Sequence, residues 1–280
     1  MNRRSGISPL GITAFLLACS GAWGDSATVA EAPRSPAPRI ALIIDDLGYM
    51  PGNDNRVVAL DGPVACAILP HTPFAARVAE RAHAAGKEVL LHLPLQPVTQ
   101  FEATSAGTIQ VDTTKSQLLR ILAIDLAAIP YVVGVNNHQG SLLTQHPGHM
   151  TWLMDELRSR GDLFFVDSFT SEASVALRIA REQGVPSIRR DVFLDSTPTS
   201  QAIDVEFRRL KRRARSHGVA VGIGHPYTVT LDYLEQAIPI LRAEGFELIP
   251  VITAIMLESR PAIQTASLDG PARQRQSLGR

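Results

Sequence analysis

The chain has 280 residues, with 27 Lys and Arg balanced by 27 Asp and Glu, 45% hydrophobic residues and 19% charged ones. This length and composition fit one large α/β domain and exclude wholesale disorder, and the zero net charge gives no support to a nucleic-acid binder, which carries a basic excess. The aromatic fraction, 5%, is too small for a stacking platform along a polymer, so a substrate is held mainly by polar groups and shape.

The chain opens on Met1-Asn2-Arg3-Arg4, followed by an apolar run from Leu10 to Ala18. A basic start followed by an apolar stretch of this length predicts an export signal, too short to span a bilayer. Two processing readings stand side by side. Leu16-Leu17-Ala18-Cys19 resembles a bacterial lipobox, which makes residues 1–18 the signal and Cys19 a lipid anchor. Ala22-Trp23-Gly24 resembles an A-x-A-like cleavage site, which makes 1–24 the signal and frees a soluble protein. Both predict a secreted product, periplasmic or tethered to the membrane. Removal of 1–24 leaves 25 basic and 27 acidic groups, a balance that disfavours a simple electrostatic grip on a polyanion. No second apolar stretch is long enough to cross a membrane. With Cys19 set aside, Cys66 is the only thiol; it lies in an apolar run and reads as a buried small hydrophobe.

Residues 25–38 end in a Pro- and Ser-rich stretch that predicts a linker, and 258–280 lose apolar periodicity and predict a loose tail. The folded part is 39–257. Within it, β-type runs fall at Ile40–Ile44, Val64–Leu69, Glu88–Leu91, Tyr131–Val135, Leu163–Val166, Ser187–Ile188, Val219–Ile223 and Phe246–Val251. Helical patterns lie between most of them. One opens at Thr72-Pro73 and closes at Gly86, one runs from Pro147 to Gly161, one from Ser171 to Gly184, and one carries Leu231, Leu234, Ile238 and Leu241 before Gly245. Helix, glycine, strand is the signature of a parallel sheet. Seven or eight such strands predict a closed or nearly closed barrel, with a doubly wound open sheet as the alternative. No nucleotide-binding glycine loop and no Gly-x-Ser-x-Gly elbow follows any strand.

Chemistry-bearing residues fall at the C-terminal ends of these strands: Asp45-Asp46, His92, Asn136-Asn137-His138, Asp167-Ser168, Arg190-Asp191 and His225. In barrel enzymes that rim carries the active site. Adjacent carboxylates repel one another unless a proton or a cation intervenes, whereas Asp167 alone reads equally well as a helix cap. His71, His83, His146, His149 and His217 fall in helix starts, a helix face or loops and receive no role. One Asp and two His suit a catalytic Zn²⁺ with an open position, or another divalent metal. A second Asp is then free to act as base and a third His as acid, a set able to hydrolyse an amide or ester.

At these residues the sequence resembles the divergent branch of the polysaccharide deacetylase (NodB-like) superfamily. The matching segments are Ile43-Ile44-Asp45-Asp46-Leu47-Gly48, His92-Leu93-Pro94-Leu95-Gln96-Pro97, Gly134-Val135-Asn136-Asn137-His138-Gln139-Gly140-Ser141, Phe165-Val166-Asp167-Ser168, Arg190-Asp191-Val192-Phe193-Leu194-Asp195 and Gly222-Ile223-Gly224-His225-Pro226. The resemblance implies a distorted (β/α) barrel and metal-dependent removal of acetyl groups from a carbohydrate. It makes Asp45 the general base, Asp46 a metal ligand and His225 the general acid. The superfamily pattern has two metal-binding histidines in one His-x-x-x-His motif. Here His92 holds the first place and Gln96 the second, so His138 is expected to complete the ligand set. Asn137, Asp167, Arg190, Asp191 and Gln96 are then candidates to orient the acid and base or to touch substrate, and Arg190 also suits an acidic sugar group. The departure at Gln96 keeps a second reading in play, a non-catalytic glycan- or envelope-protein-binding module on the same fold.

Overall fold

A computed structural model describes residues 37–99 and 107–259. The expected export signal with Cys19, most of the expected linker and nearly all of the expected tail lie outside the described residues. Strands β1 (Arg39–Leu47), β2 (Ala65–Ile68), β3 (Val89–Leu95), β4 (Val132–Gln139), β5 (Phe164–Asp167), β6 (Ser187–Arg189), β7 (Val192–Phe193), β8 (Val219–Gly224) and β9 (Glu247–Leu248) form one parallel sheet. Its order is β6-β5-β4-β3-β2-β1-β8-β7, with β9 beside β1. The two edges are consecutive in sequence. Arg190 N bonds Asp167 O on β5, and the next amide, Asp191 N, bonds Val221 O on β8. The segment 187–193 therefore links both edges of the distorted barrel.

Helices α1 (Pro51–Ala59), α2 (Ala75–Ala84), α3 (Lys115–Ala128), α4 (Pro147–Arg160), α5 (Ala176–Glu182), α6 (Ser200–His217), α7 (Thr228–Leu241) and α8 (Val251–Glu258) follow the strands. Strand residues of one parity (Ile40, Leu42, Ile44, Leu91, Leu93) join the inner faces of the helices in a large apolar cluster. Residues of the other parity (Ala41, Ile43, Leu90, Phe164, Val166, Ile223) join Val251, Ala254 and Ile255 of α8 in a second one inside the barrel. The period-2 alternation of each strand thus separates an outer from an inner core. In α6, Ile203, Phe207, Leu210 and Ala214 recur at helical spacing and are buried, while Thr199 caps its first turn through Ala202 N.

Several boundaries differ from the sequence reading. Strands β3 and β4 run on through His92 and His138, because polar residues that pair across the barrel continue the ladder where apolar periodicity stops. The run at 246–251 is mostly not strand; Val251 starts α8, whose first amides are bound by the Glu88 carboxylate at 2.6 and 3.0 Å. Helix α2 begins at Ala75 rather than at Pro73, since Thr72 turns its hydroxyl back to Leu69 O. Cys66 is buried, as its neighbours indicate. No helix among the described residues is long and apolar enough to cross a membrane.

Candidate metal centre

The two adjacent aspartates owe their shared orientation to a bulge. Ile44 pairs with Cys66 and Leu47 with Ile68, so β1 spends one residue more than β2 over this span. Ile44 and Leu47 both lie in the outer core. Regular alternation would send one aspartate out to the helices. Instead Asp46 adopts φ 59°, which leaves both carboxylates at one cavity. Left-handed backbone recurs beside the same cavity at Gln139 and Phe169, a clustering typical of functional sites. The turn after β1 needs Gly48: its φ is 114°, and a Cβ there would run into the Thr72 hydroxyl.

Asp45, Asp46, His92, Asn137, His138 and His225 line one cavity of about 390 Å³. His92 Nε2 lies 3.2 Å and His138 Nδ1 lies 3.0 Å from Asp46 Oδ1, and the two nitrogens are 3.2 Å apart. Asp46 Oδ1 is buried without a hydrogen bond. Donors held tetrahedrally at about 2.0–2.1 Å from a zinc ion lie about 3.3 Å from one another. The three atoms therefore already form a triangle of the size that one face of such a site requires, and the donor set of two imidazoles and one carboxylate suits a divalent cation.

The surrounding hydrogen bonds fix this arrangement. His92 pairs with Asn136 across β3 and β4. Its Nδ1 donates to Asn136 Oδ1 at 2.9 Å, which leaves Nε2 facing Asp46, a donor to that carboxylate when protonated and a ligand for a cation when neutral. The Asn136 amide in turn donates to Asp45 Oδ1 at 2.8 Å. Burial works against the Asp46 carboxylate, but His138 and His92 outweigh it and hold its pKa well below the usual range. Burial raises the Asp45 pKa, against the pull of His92 and His225, and the neighbouring Asp46 adds to the rise. Across the cavity, His225 Nδ1 donates to Asp195 Oδ1 at 2.8 Å, while Asp195 Oδ2 accepts from His225 N and Thr230 Oγ1. Burial alone would lower the imidazole pKa; the Asp195 bond and the Asp45 and Asp46 charges lift it to about 9.

Four candidates lie outside the cavity wall. Gln96 Oε1 accepts from Val111 N at 2.8 Å, so this side chain ties down the segment after residue 107. Asp167, one residue beyond the inward Val166, accepts from Phe169 N and Ser174 Oγ. It fixes the turn before α5, the capping alternative, and touches neither His225 nor Asp45. Asp191 is taken by Arg213 and Val221 N, a consequence of its position before β7 rather than after it. Arg190 donates to Ser168 O and Phe169 O and stacks 3.6 Å over the Phe193 ring, which packs against His225. Asn136 and Asp195, which do orient the site, stood in the resembling segments without a role. Alternation after the inward Leu90 carries to His92 and its partner Asn136, a signal for the first; for Asp195 only proximity in the fold reveals the pairing.

A family model described as divergent polysaccharide deacetylase matches residues 42–255. The chain is 35% identical over 231 residues to the uncharacterized protein YibQ of Escherichia coli (strain K12), covering 82% of this chain and 70% of that one. It is 34% identical over 200 residues to an uncharacterized protein of Haemophilus influenzae, covering 71% of each. Among solved structures, an uncharacterized protein from Agrobacterium tumefaciens C58 superposes with a TM-score of 0.75 at 22% identity, over 79% of this chain and 90% of that one. The catalytic domain of peptidoglycan N-acetylglucosamine deacetylase from Eubacterium rectale superposes with a TM-score of 0.52 at 18% identity, over 82% and 96%. These likenesses show the same parallel-stranded fold.

Proposed function

Because the chain belongs to the divergent polysaccharide deacetylase family, we propose that it is a divalent-cation-dependent hydrolase that removes acetyl groups from a glycan of the cell envelope. The observation that carries this reading is the triangle of Asp46 Oδ1, His92 Nε2 and His138 Nδ1, with an orphaned carboxylate oxygen at one corner and Asp45 and His225 on the same cavity. A cation held there, Zn²⁺ by the chemistry of its donors, supplies Lewis acidity toward the acetyl carbonyl and acidifies a water. Asp45, with its raised pKa, accepts the proton of the attacking water. His225, kept protonated by Asp195, donates a proton to the departing nitrogen or oxygen. Asn136 holds Asp45 and His92 in register, and Asn137 Oδ1 fixes the rim by accepting from Ser168 N.

The envelope assignment rests on the basic start and apolar run of residues 1–18 and on the lipobox-like segment ending at Cys19. In this reading 39–257 is the catalytic unit, delivered to the periplasm free or tethered. Acetate release from N- and O-acetylated glycans by the zinc-loaded protein tests the activity. The expected result is release by the wild type and release slower by roughly 10²–10⁴-fold in Asp45→Asn. Zinc binding without release on any acetylated glycan would instead favour the non-catalytic glycan-binding reading.

A further inference from the structure

The balanced charge of the whole chain conceals a local imbalance. Arg189 and Arg190, at the junction of β6 and β7, line a second cavity of about 510 Å³ together with Arg209, Arg212 and Arg213 of α6. The three α6 residues recur at helical spacing and so share one face. Asp191 neutralises Arg213 at 2.9 Å, and Glu206 approaches Arg209 only at 3.4 Å. Among the described residues, Arg212 has no carboxylate partner, and Arg189 acts on the Asp167 carboxylate across β5 and β6 without forming an ion pair with it. Arg190 is half-buried, and among the described residues its guanidinium bonds the carbonyls of Ser168 and Phe169 and no carboxylate. Burial lowers its pKa to about 10, and Arg209 adds to the fall against the pull of three aspartates. Five guanidinium groups gathered around one pocket repel one another, and planar forks of this kind match carboxylate and phosphate oxygens.

The pocket adjoins the metal centre. The Arg190 guanidinium lies 3.6 Å over the ring of Phe193, and Phe193 lines the catalytic cavity with its ring 5.9 Å from that of His225. Phe169, on the wall of the arginine pocket, stands between Ser168 and Thr170 of the catalytic cavity. Phe193 also lines a further cavity together with Arg190 and Arg209, so the catalytic cavity and the arginines share neighbouring walls.

We propose that the arginine pocket is a subsite for an acidic group, carboxylate or phosphate, carried by the same glycan whose acetyl group lies at the metal centre. This deepens the deacetylase reading and rests on it. The substrate class becomes an acidic acetylated glycan, gripped locally by a chain with no net charge.

Calorimetric binding of the zinc-loaded protein to a hyaluronan tetrasaccharide, which carries both carboxylates and N-acetyl groups, tests this against neutral chitotetraose and free glucuronate. The expected wild-type preference for the acidic tetrasaccharide over chitotetraose is at least tenfold, with glucuronate alone far weaker and the preference fading as salt rises. The double variant Arg209→Ser/Arg212→Ser, altered at two exposed positions outside the catalytic machinery, is expected to lose the preference and to keep its chitotetraose affinity. Equal affinities in the wild type, glucuronate as tight as the tetrasaccharide, or a preference that survives in the double variant would overturn the subsite. Acetate release measured in parallel separates the two readings. Acid-selective binding without release leaves the subsite standing and removes the deacetylase. Release from both glycans at equal rates, unchanged in the double variant, does the reverse.

Discussion

At one end of the barrel, Val251, Ala254 and Ile255 of α8 join inward-facing strand residues in a buried apolar cluster, and the Glu88 carboxylate binds the first amides of α8. At the other end, Asp45, Asp46, His92, His138 and His225 crowd one small cavity, and the backbone turns left-handed at Asp46, Gln139 and Phe169. The same strands build both ends, yet one end gathers what stabilises the fold and the other gathers what opposes it: buried like charges, an orphaned oxygen and strained turns. The contrast teaches that stability and chemistry are separable here, so substitutions at each end should move different observables.

The largest expected effects test that separation directly. Asp45→Asn should reduce acetate release by roughly 10²–10⁴-fold while retaining zinc binding, read by calorimetry beside a steady-state assay. Phe164→Ala, which empties the space against Gly134 inside the barrel, should cost about 3–5 kcal/mol in denaturant unfolding with the zinc affinity of the folded protein unchanged. If Phe164→Ala weakened zinc binding as much as it weakened the fold, the two ends would not be independent.

Asn136→Ala removes the group that sets the His92 tautomer and steadies Asp45. It should weaken zinc binding about 10–100-fold. Asp195→Asn bears on the acid. In the proposed reaction protonated His225 is the acid, so activity is expected to fall as pH rises through about 9. Loss of the Asp195 charge lowers that pKa, and the alkaline limb of the kcat/KM profile should move to lower pH by about one unit. The smallest effect is on the cation-free protein. A carboxyl whose pKa is raised by folding costs nothing below its unfolded pKa and costs stability as pH climbs through the raised value. Asp45→Asn removes that cost, so at neutral pH its apo form should be more stable than the wild-type apo form, by on the order of 1 kcal/mol in thermal unfolding.

Much of this architecture was legible in the residues. Recurring helix, glycine and strand patterns marked the parallel barrel, and the positions of Asp45-Asp46, His92, His138 and His225 after apolar strands marked the rim. What sequence could not show was direction. Asp167, which reads equally well as a cap, and Asp191 both follow strand-like runs, but alternation and register carry them to a helix turn and to Arg213. The bulge that turns two adjacent aspartates to one cavity leaves no periodic mark. Asp195 met His225 only because β7 and β8 pair. The arginines of α6 carry no signal in the sequence; they share a pocket only because the fold brings Arg189 and Arg190 beside them.

The central claim is that Asp46, His92 and His138 hold one divalent cation, with His138 in the role that Gln96 leaves open. Zinc titration of the metal-free protein and of two variants, His138→Ala and Gln96→Ala, tests it most directly. The account predicts one ion per chain in the wild type, loss of at least about 100-fold in affinity for His138→Ala, and wild-type affinity for Gln96→Ala. Zinc affinity that survives in His138→Ala and collapses in Gln96→Ala would contradict it.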